Sequence, residues 1–212
     1  MKKIILFIVF LLSVISIIQC SKDEFGSEYY AMIKEHRHKT DSLFKYSETS
    51  PFKKDKSIKY SGIQWFPINP DFIFKSRLIK YEIPETVIVL GTKGEERNQI
   101  KYGWFEFDYK KVKYKINVYK YLESDITPGR EMLKNYLAVW FRDQSTGKET
   151  YEVGRYLEVE EESTDLNYLY TLDFNKAYNP YCAYTPIYSC AIPRKEDYLD
   201  LRITAGEKKY HE

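Results

Sequence analysis

The chain has 212 residues, of which 43% are hydrophobic and 17% aromatic, so it can bury one sizeable core and has little room for two. The chain has 33 Lys and Arg residues and 31 Asp and Glu residues. Lys2 and Lys3 at the N-terminus account for this basic excess. Because the rest of the chain carries balanced, interspersed charges, it lacks the basic patch typical of nucleic-acid binding, and we expect no nucleic-acid partner.

The N-terminus has the pattern of a bacterial lipoprotein signal peptide. Lys2-Lys3 precedes an apolar run from Ile4 to Ile18, which is short for a transmembrane helix. The run leads to Gln19-Cys20, which resembles a lipobox except that Gln19 stands where a small residue is usual. We therefore predict a signal peptide over 1–19, lipidation of Cys20, and a location in the cell envelope, anchored to the outer membrane on its surface or its periplasmic face.

A polar tether and a helix follow the leader. Residues 20–24 form the tether, and Ser21 to Glu24 resembles either a surface-export signal of lipoproteins or a capping box that opens a helix. Phe25 to Tyr46 has no Pro, and its apolar residues fall near helical spacing. We predict a helix here, at the start of a single β-rich domain over 25–212.

From Tyr60 onward the hydrophobic period changes to two, which indicates strands with one buried face. From Val112 to Val118, apolar residues alternate with Lys and Asn, which predicts a strand. Another strand is predicted over Gln99 to Phe107. The polar residues Asp108 to Lys111 between the two strands predict a hairpin turn. Further strands are predicted at Thr86–Leu90, Tyr136–Phe141, Tyr151–Val159, Tyr168–Phe174 and Leu199–Ile203. The pattern predicts a mainly β fold, an antiparallel barrel or sandwich with the N-terminal helix packed on it.

Polar residues in the C-terminal half break the strand pattern and mark a candidate site. Arg155 shares a strand face with Val153 and Leu157, and a guanidinium there needs a carboxylate partner or a wet pocket. Asp173 and Asn175 share a face of another strand. The candidate ligand-binding residues are Arg155, Asp173, Asn175, Asp143, Glu149, Asn179 and Glu207, which could orient an anionic or hydroxyl-bearing ligand. The alternative is an internal Arg155–Asp173 pair with Asn turn caps and no ligand.

Several motifs in this half identify a family resemblance. They are Asp143 to Tyr151, Gly154-Arg155-Tyr156, Asp173 to Tyr184, Cys190, and Ala205 to Lys208. With these motifs the chain resembles the family catalogued as domain of unknown function 1684. Ala191, Arg194 and Asp197 depart from the family pattern after Cys190. The resemblance covers most of the chain and implies no reaction.

The cysteines and histidines give further predictions. Cys182 and Cys190 lie close in sequence, and outside the cytoplasm such a pair most often forms a disulfide, with a metal site or free thiols as alternatives. His36, His38 and His211 are poorly placed as ligands, so we expect no metal and no cofactor. The sequence contains no nucleophile elbow, P-loop, dinucleotide fingerprint or zinc-protease helix motif, and catalytic residues stay unassigned.

Three functions remain open. The first is an outer-membrane lipoprotein, attached to the membrane through Cys20, that binds a small polar or anionic ligand through Arg155, Asp173 and Asn175. The second is a hydrolase that uses carboxylates for acid and base catalysis in the same pocket. The third is a structural or protein-interaction module of the cell envelope.

Overall fold

The structure, a computed structural model, describes residues 26–211. These residues divide into two compact units, 26–39 and 40–211. The predicted signal peptide, the lipidation site Cys20 and the tether lie outside the described residues. Within the described part, no helix combines the length and apolar character needed to span a membrane.

The predicted N-terminal helix is confirmed as α1, Ser27–Tyr46. Its first turn carries Glu28 and its last turn Lys45, which complement the helix dipole. A short helix, α2 (Pro51–Lys54), follows, with Ser50 accepting a hydrogen bond from the Phe52 amide at 3.2 Å as its N-cap. Phe44, near the end of α1 and itself in the second unit, packs its ring against four aromatic rings of that unit, those of Phe52, Tyr60, Tyr181 and Tyr184.

The most regular part of the fold is a three-stranded antiparallel meander. Strands β2 (Ile79–Leu90), β3 (Glu96–Tyr109) and β4 (Val112–Tyr121) pair in the order β2-β3-β4. The predicted hairpin between β3 and β4 is confirmed, and its turn residues Lys110 and Lys111 have φ of 49° and 66°. Positive φ at both positions is typical of the turn whose twist matches that of paired strands.

The other strands are short. β1 (Ile73–Ser76) pairs antiparallel with β7 (Tyr170–Asp173), while β5 (Val139–Asp143) lies between antiparallel β6 (Arg155–Leu157) and parallel β8 (Tyr198–Leu199). The mainly β prediction is confirmed in a sandwich-like form, and no sheet of residues 26–211 closes into a barrel. One pair, β5–β8, is parallel within this otherwise antiparallel arrangement.

The core joins the meander to these short strands. Phe105 and Ile116 from the meander belong to one buried cluster with Phe141, Leu172 and Phe174. The buried residues of the meander strands are mainly apolar, whereas the segments from β5 onward also bury many polar side chains. The candidate site therefore lies at the polar border of the core.

Candidate functional site

Arg155 is the centre of a buried polar network. Its side chain is 1% exposed, and its guanidinium lies over the Phe141 ring, 5.2 Å from the centroid. It donates hydrogen bonds to the backbone carbonyls of Ile203 at 3.1 Å and Glu207 at 3.2 Å, and to that of Ala205 between them. One side chain thus holds alternate carbonyls of an extended segment, a task that a neighbouring strand would otherwise perform.

The carboxylate that meets Arg155 is Asp143, at 3.4 Å. Asp143 Oδ2 also accepts a hydrogen bond from the Ile203 amide at 2.7 Å, and its Oδ1 accepts bonds from the hydroxyls of Ser145 at 2.7 Å and Thr146 at 3.1 Å. Burial lowers the pKa of Arg155, and the charges of Asp143, Glu207 and Glu149 oppose that shift. Arg155 therefore stays a cation, and the predicted need for a buried carboxylate is met.

Asp173, which one of the two alternatives paired with Arg155, contacts Asn175. Asp173 Oδ1 accepts hydrogen bonds from the amide and the Nδ2 of Asn175, at 3.0 and 3.1 Å. Asn175 in turn exchanges two hydrogen bonds with the backbone of Asn69, at 2.7 and 2.9 Å. Asp173 and Asn175 thus fasten the segment before β1 to the end of β7, because a short polar side chain readily caps its own turn.

Glu207 extends the network on the other side of Arg155. Its Oε2 accepts hydrogen bonds from the Asn179 amide at 2.9 Å and from the Tyr184 hydroxyl. Burial and the neighbouring Glu207 raise the pKa of Tyr184 well above its ordinary value, so Tyr184 stays a donor. Asn179 Nδ2 donates to the Lys208 carbonyl at 2.8 Å. These contacts hold the segment that carries Glu207 against the turn that carries Asn179.

Gly206 allows this segment to approach so closely. Its φ is +79°, and a Cβ at this position would lie 2.5 Å from the Ala177 carbonyl oxygen and 2.7 Å from that of Phe174. Both distances are shorter than real Cβ contacts, so a larger residue would push the segment away from Arg155.

The predicted pocket is therefore filled by the protein's own chain. Six of the seven candidate residues are at most 4% exposed and bonded to the fold: Asp143, Arg155, Asp173, Asn175, Asn179 and Glu207. The seventh, Glu149, is partly exposed and reaches solvent. Arg155 consequently positions other groups and does not face an open cavity.

An open cleft of about 450 Å³ lies beside this network, against the loop between β5 and β6. The end of β5, the loop after it, β8 and the segment after β8 all contribute to its lining, which consists of Arg142, Asp143, Gln144, Thr146, Lys148, Glu149, Glu152, Tyr198 and Arg202. The sequence analysis identified Asp143 and Glu149 but missed Arg142, Lys148 and Arg202. In the sequence these three residues look like ordinary charged residues of a solvated surface. No pattern in the sequence indicates that they line one cleft.

The charges of the cleft are unevenly paired. Arg202 forms two hydrogen bonds with Glu149, at 2.8 and 2.7 Å, and this contact lowers the pKa of Glu149. Arg142 uses its Nε on the Val153 carbonyl at 3.0 Å. Lys148 is exposed and has no ion-pair partner among residues 26–211. The cleft therefore offers cationic groups whose charge is not neutralised by a neighbouring carboxylate.

Cys182 and Cys190 are both free, partly exposed thiols. The Cys182 amide donates a hydrogen bond to the Cys190 sulfur at 3.2 Å, so the two residues are neighbours in space as well as in sequence. The disulfide between them stays a prediction. Among the described residues, no cluster of three or more His, Cys, Asp or Glu side chains is arranged to hold a metal ion.

Comparisons with known proteins give a family and a structural relative. Residues 58–208 match the model of the family described as "Protein of unknown function (DUF1684)". The fold is similar to the solution NMR structure of an uncharacterized protein from gene locus rrnAC0354 of Haloarcula marismortui, with a TM-score of 0.62 and 26% sequence identity. That match covers 88% of this chain and 97% of the other. No curated protein matches the sequence.

Proposed function

The chain belongs to the family of unknown function DUF1684, and from the geometry of its cleft we propose that it binds a small anionic ligand there. We further propose that it does so as an exported protein, attached to the outer membrane through a lipid on Cys20. The sequence analysis expected Arg155, Asp173 and Asn175 to contact the ligand. In the present proposal Arg155 positions the cleft, and Lys148 and Arg142 take the role of ligand contacts.

The observation that carries the proposal is the rigidity of the cleft wall. Asp143, Ser145 and Thr150 of the β5–β6 loop turn inward and are at most 2% exposed. Ser145 bonds to Asp143 at 2.7 Å, and the Ser145 and Thr150 hydroxyls share a hydrogen bond at 3.0 Å. A loop fixed in this way loses little conformational freedom when a ligand arrives, which favours affinity.

The charge distribution supports an anionic ligand. Of the three carboxylates in the lining, Asp143 and Glu149 each contact an arginine, Arg155 and Arg202 respectively, and Glu152 is exposed with no ion pair among the described residues. Lys148 and the outer nitrogens of Arg142 remain available, and an arginine fork suits the planar oxygens of carboxylates and phosphates. We therefore favour a small carboxylate or phosphate compound over a neutral one.

The hydrolase alternative has weaker support. A glycosidase-type mechanism needs a carboxylic acid that stays protonated near neutral pH, with a raised pKa. The hydrogen bonds from Arg202 lower the pKa of Glu149, which keeps it ionised. Asp143 is buried and its oxygens accept hydrogen bonds from the loop and from Ile203, so it has little room to contact a substrate.

Binding can be tested with defined anions. We expect inorganic phosphate or citrate to raise the melting temperature of the protein saturably, by about 2–4 °C per kcal/mol of binding free energy, with sodium chloride at equal ionic strength as the reference. Lys148→Gln should weaken the binding by about fivefold, since one charged contact is lost. Lys56→Gln is the matched control, because Lys56 is exposed and lies outside the cleft.

Two results would overturn the cleft proposal. One is a melting temperature that follows ionic strength alone for both anions. The other is equal weakening by Lys148→Gln and Lys56→Gln, which would indicate general attraction of anions to a surface.

The membrane attachment needs its own experiment. Cells fed an alkyne-tagged palmitate should label the wild-type protein, and the label should be lost in Cys20→Ser. The Cys182→Ser variant is the matched control and should keep both the label and its place in the outer-membrane fraction. Equal labelling of the wild type and Cys20→Ser would refute the anchor.

A further inference from the structure

The two thiols lie in a fixed arrangement away from the cleft lining. Cys182 sits in a short helical turn, Tyr181–Ala183. Cys190 is held by Thr92 from both sides: its amide donates to the Thr92 hydroxyl at 3.2 Å, and its carbonyl accepts from the Thr92 amide at 3.0 Å. The Cys182 amide then reaches the Cys190 sulfur at 3.2 Å. Two separately anchored backbones therefore bring two sulfurs together.

The surroundings make the two thiols unequal. The hydrogen bond from Cys190 lowers the pKa of Cys182 to about 7, against the effect of burial, and the Tyr151 hydroxyl, 3.7 Å from the Cys182 sulfur, acts in the same direction. The same contact between the thiols, together with burial, raises the pKa of Cys190. The contact with the Tyr151 hydroxyl therefore favours Cys182 as the sulfur that loses its proton first. A thiolate whose pKa is near the ambient pH is the best attacking group in disulfide exchange.

We propose that Cys182 and Cys190 form a redox-active dithiol that reduces small disulfides, with Cys182 as the attacking sulfur and Cys190 as the resolving sulfur. This activity differs from a permanent structural disulfide, because the pair must cycle between its two states, with a small thiol as the reductant that restores the dithiol by the reverse exchange. It is independent of ligand binding in the cleft, whose lining contains neither cysteine.

The reaction balances with a disulfide as the oxidant. The Cys182 thiolate attacks one sulfur of the incoming disulfide, so that the old S–S bond breaks and the outer half leaves as a thiolate that takes a proton from water. Cys190 then loses its proton to solvent and attacks the Cys182 sulfur. This step forms the Cys182–Cys190 bond and releases the second half as a thiolate, which is protonated in turn. The protein has then passed two electrons to the substrate, which becomes two thiols.

The test uses the full chain in buffers of glutathione and glutathione disulfide, at a series of ratios. After the reaction is quenched with acid, tryptic digestion releases one peptide, residues 177–194, that contains both Cys182 and Cys190, while Cys20 falls on a separate peptide. We expect this peptide to pass from the dithiol to an internal disulfide, two hydrogen masses lighter, within the glutathione series, and to return when the ratio is reversed.

Single variants distinguish the roles of the two sulfurs. Cys190→Ser should accumulate a mixed disulfide with glutathione on Cys182, because the resolving sulfur is missing. Cys182→Ser, the matched variant, should form this adduct on Cys190 at least about tenfold more slowly at pH 7, since the Tyr151 hydroxyl, a donor that favours a thiolate, lies at the Cys182 sulfur. Circular dichroism of both variants establishes that they fold.

Three outcomes would overturn the proposal. A peptide that stays oxidised across the whole glutathione series would be a structural disulfide. A peptide that never oxidises would mean that the sulfurs do not meet. Equal adduct formation in the two variants would mean that neither thiol is the preferred attacking group. None of these results bears on anion binding, which is measured separately through Lys148.

Discussion

The meander and the C-terminal half are stabilised in different ways. Strands β2 to β4 are 10 to 14 residues long, and their backbone groups pair with one another. The strands from β5 onward have two to five residues, so many backbone groups there lack a neighbouring strand. Buried side chains such as Arg155, Asp143 and Glu207 supply those hydrogen bonds. The comparison shows that a fold with little regular sheet can place its backbone by buried polar side chains, which then resemble a binding site in the sequence.

The strongest test of this comparison removes the central side chain. Arg155→Met keeps the volume but leaves Asp143 without its partner, along with the carbonyls of Ile203, Ala205 and Glu207. We expect the free energy of unfolding to fall by about 3–5 kcal/mol, measured by urea denaturation. Arg155→Lys, which keeps the charge but not the planar fork, should lose less. A loss below about 1 kcal/mol for Arg155→Met would show that the network is not essential to this half.

A smaller effect is expected on the far side of the network. Tyr184→Phe removes the hydroxyl that donates to Glu207 and keeps the ring that packs on Phe44 at 5.0 Å. Hydrogen bonds to charged groups contribute about 1.5–3 kcal/mol, so urea denaturation should show a loss in that range. An unchanged unfolding midpoint would contradict the role given to this contact.

The meander should respond to lost apolar contact instead. Ile116→Val removes one methylene from a residue that is 1% exposed, and such a change costs about 0.5–1.5 kcal/mol. Combined with Tyr184→Phe, its effect should be additive, because the two residues belong to different networks. A clear departure from additivity in urea denaturation of the double variant would mean that the two regions are not independent.

The smallest expected effect concerns a carboxylate, that of Glu162, which contacts all three meander strands. Glu162 accepts hydrogen bonds from Lys80 of β2, Tyr102 of β3 and Lys120 of β4. Burial raises the pKa of Glu162, but the bonds from Lys120, Lys80 and Tyr102 outweigh it and lower the pKa to about 2 from an ordinary 4.5. The stabilisation should thus be complete above pH 4.5 and be lost as the pH falls through 2.

Glu162→Gln should remove this pH dependence. Between pH 4.5 and 2 the variant should lose less free energy of unfolding than the wild type. The difference between the two losses should be below about 1 kcal/mol, because solvent screens the partly exposed lysines. Thermal unfolding at a series of pH values measures the difference. Glu161→Gln, with no ion pair among the described residues, is the matched control and should follow the wild type.

The sequence predicted the elements whose pattern is long and repetitive. Helix α1 and the β3–β4 hairpin were found because each repeats its period several times. β1 was missed because Ile73–Ser76 is only 4 residues long. The strand predicted over Tyr151–Val159 begins only at Arg155, because Gly154 has a φ of +128° and a Cβ there would lie 2.6 Å from the Phe141 carbonyl.

The sequence predicted that Arg155 has a buried carboxylate partner, but not which carboxylate it is. A guanidinium on an apolar strand face requires a carboxylate, and this held for Arg155. Which carboxylate it meets depends on how β5, β6 and the 203–207 segment lie together, so the sequence could not distinguish Asp143 from Asp173. The cleft arises from the same packing, so the sequence does not indicate that Lys148 and Arg202 line it.

The hydrogen bonds between Arg155 and the 203–207 segment also affect the order in which the protein folds. The carbonyls it binds are 48 to 52 residues away along the chain, so they arrive only after a long loop has closed. Until then a cation in an apolar setting opposes compaction around it. We expect the C-terminal half to form its native structure in a single late step of refolding, because partly assembled states would leave the guanidinium of Arg155 buried without its partners.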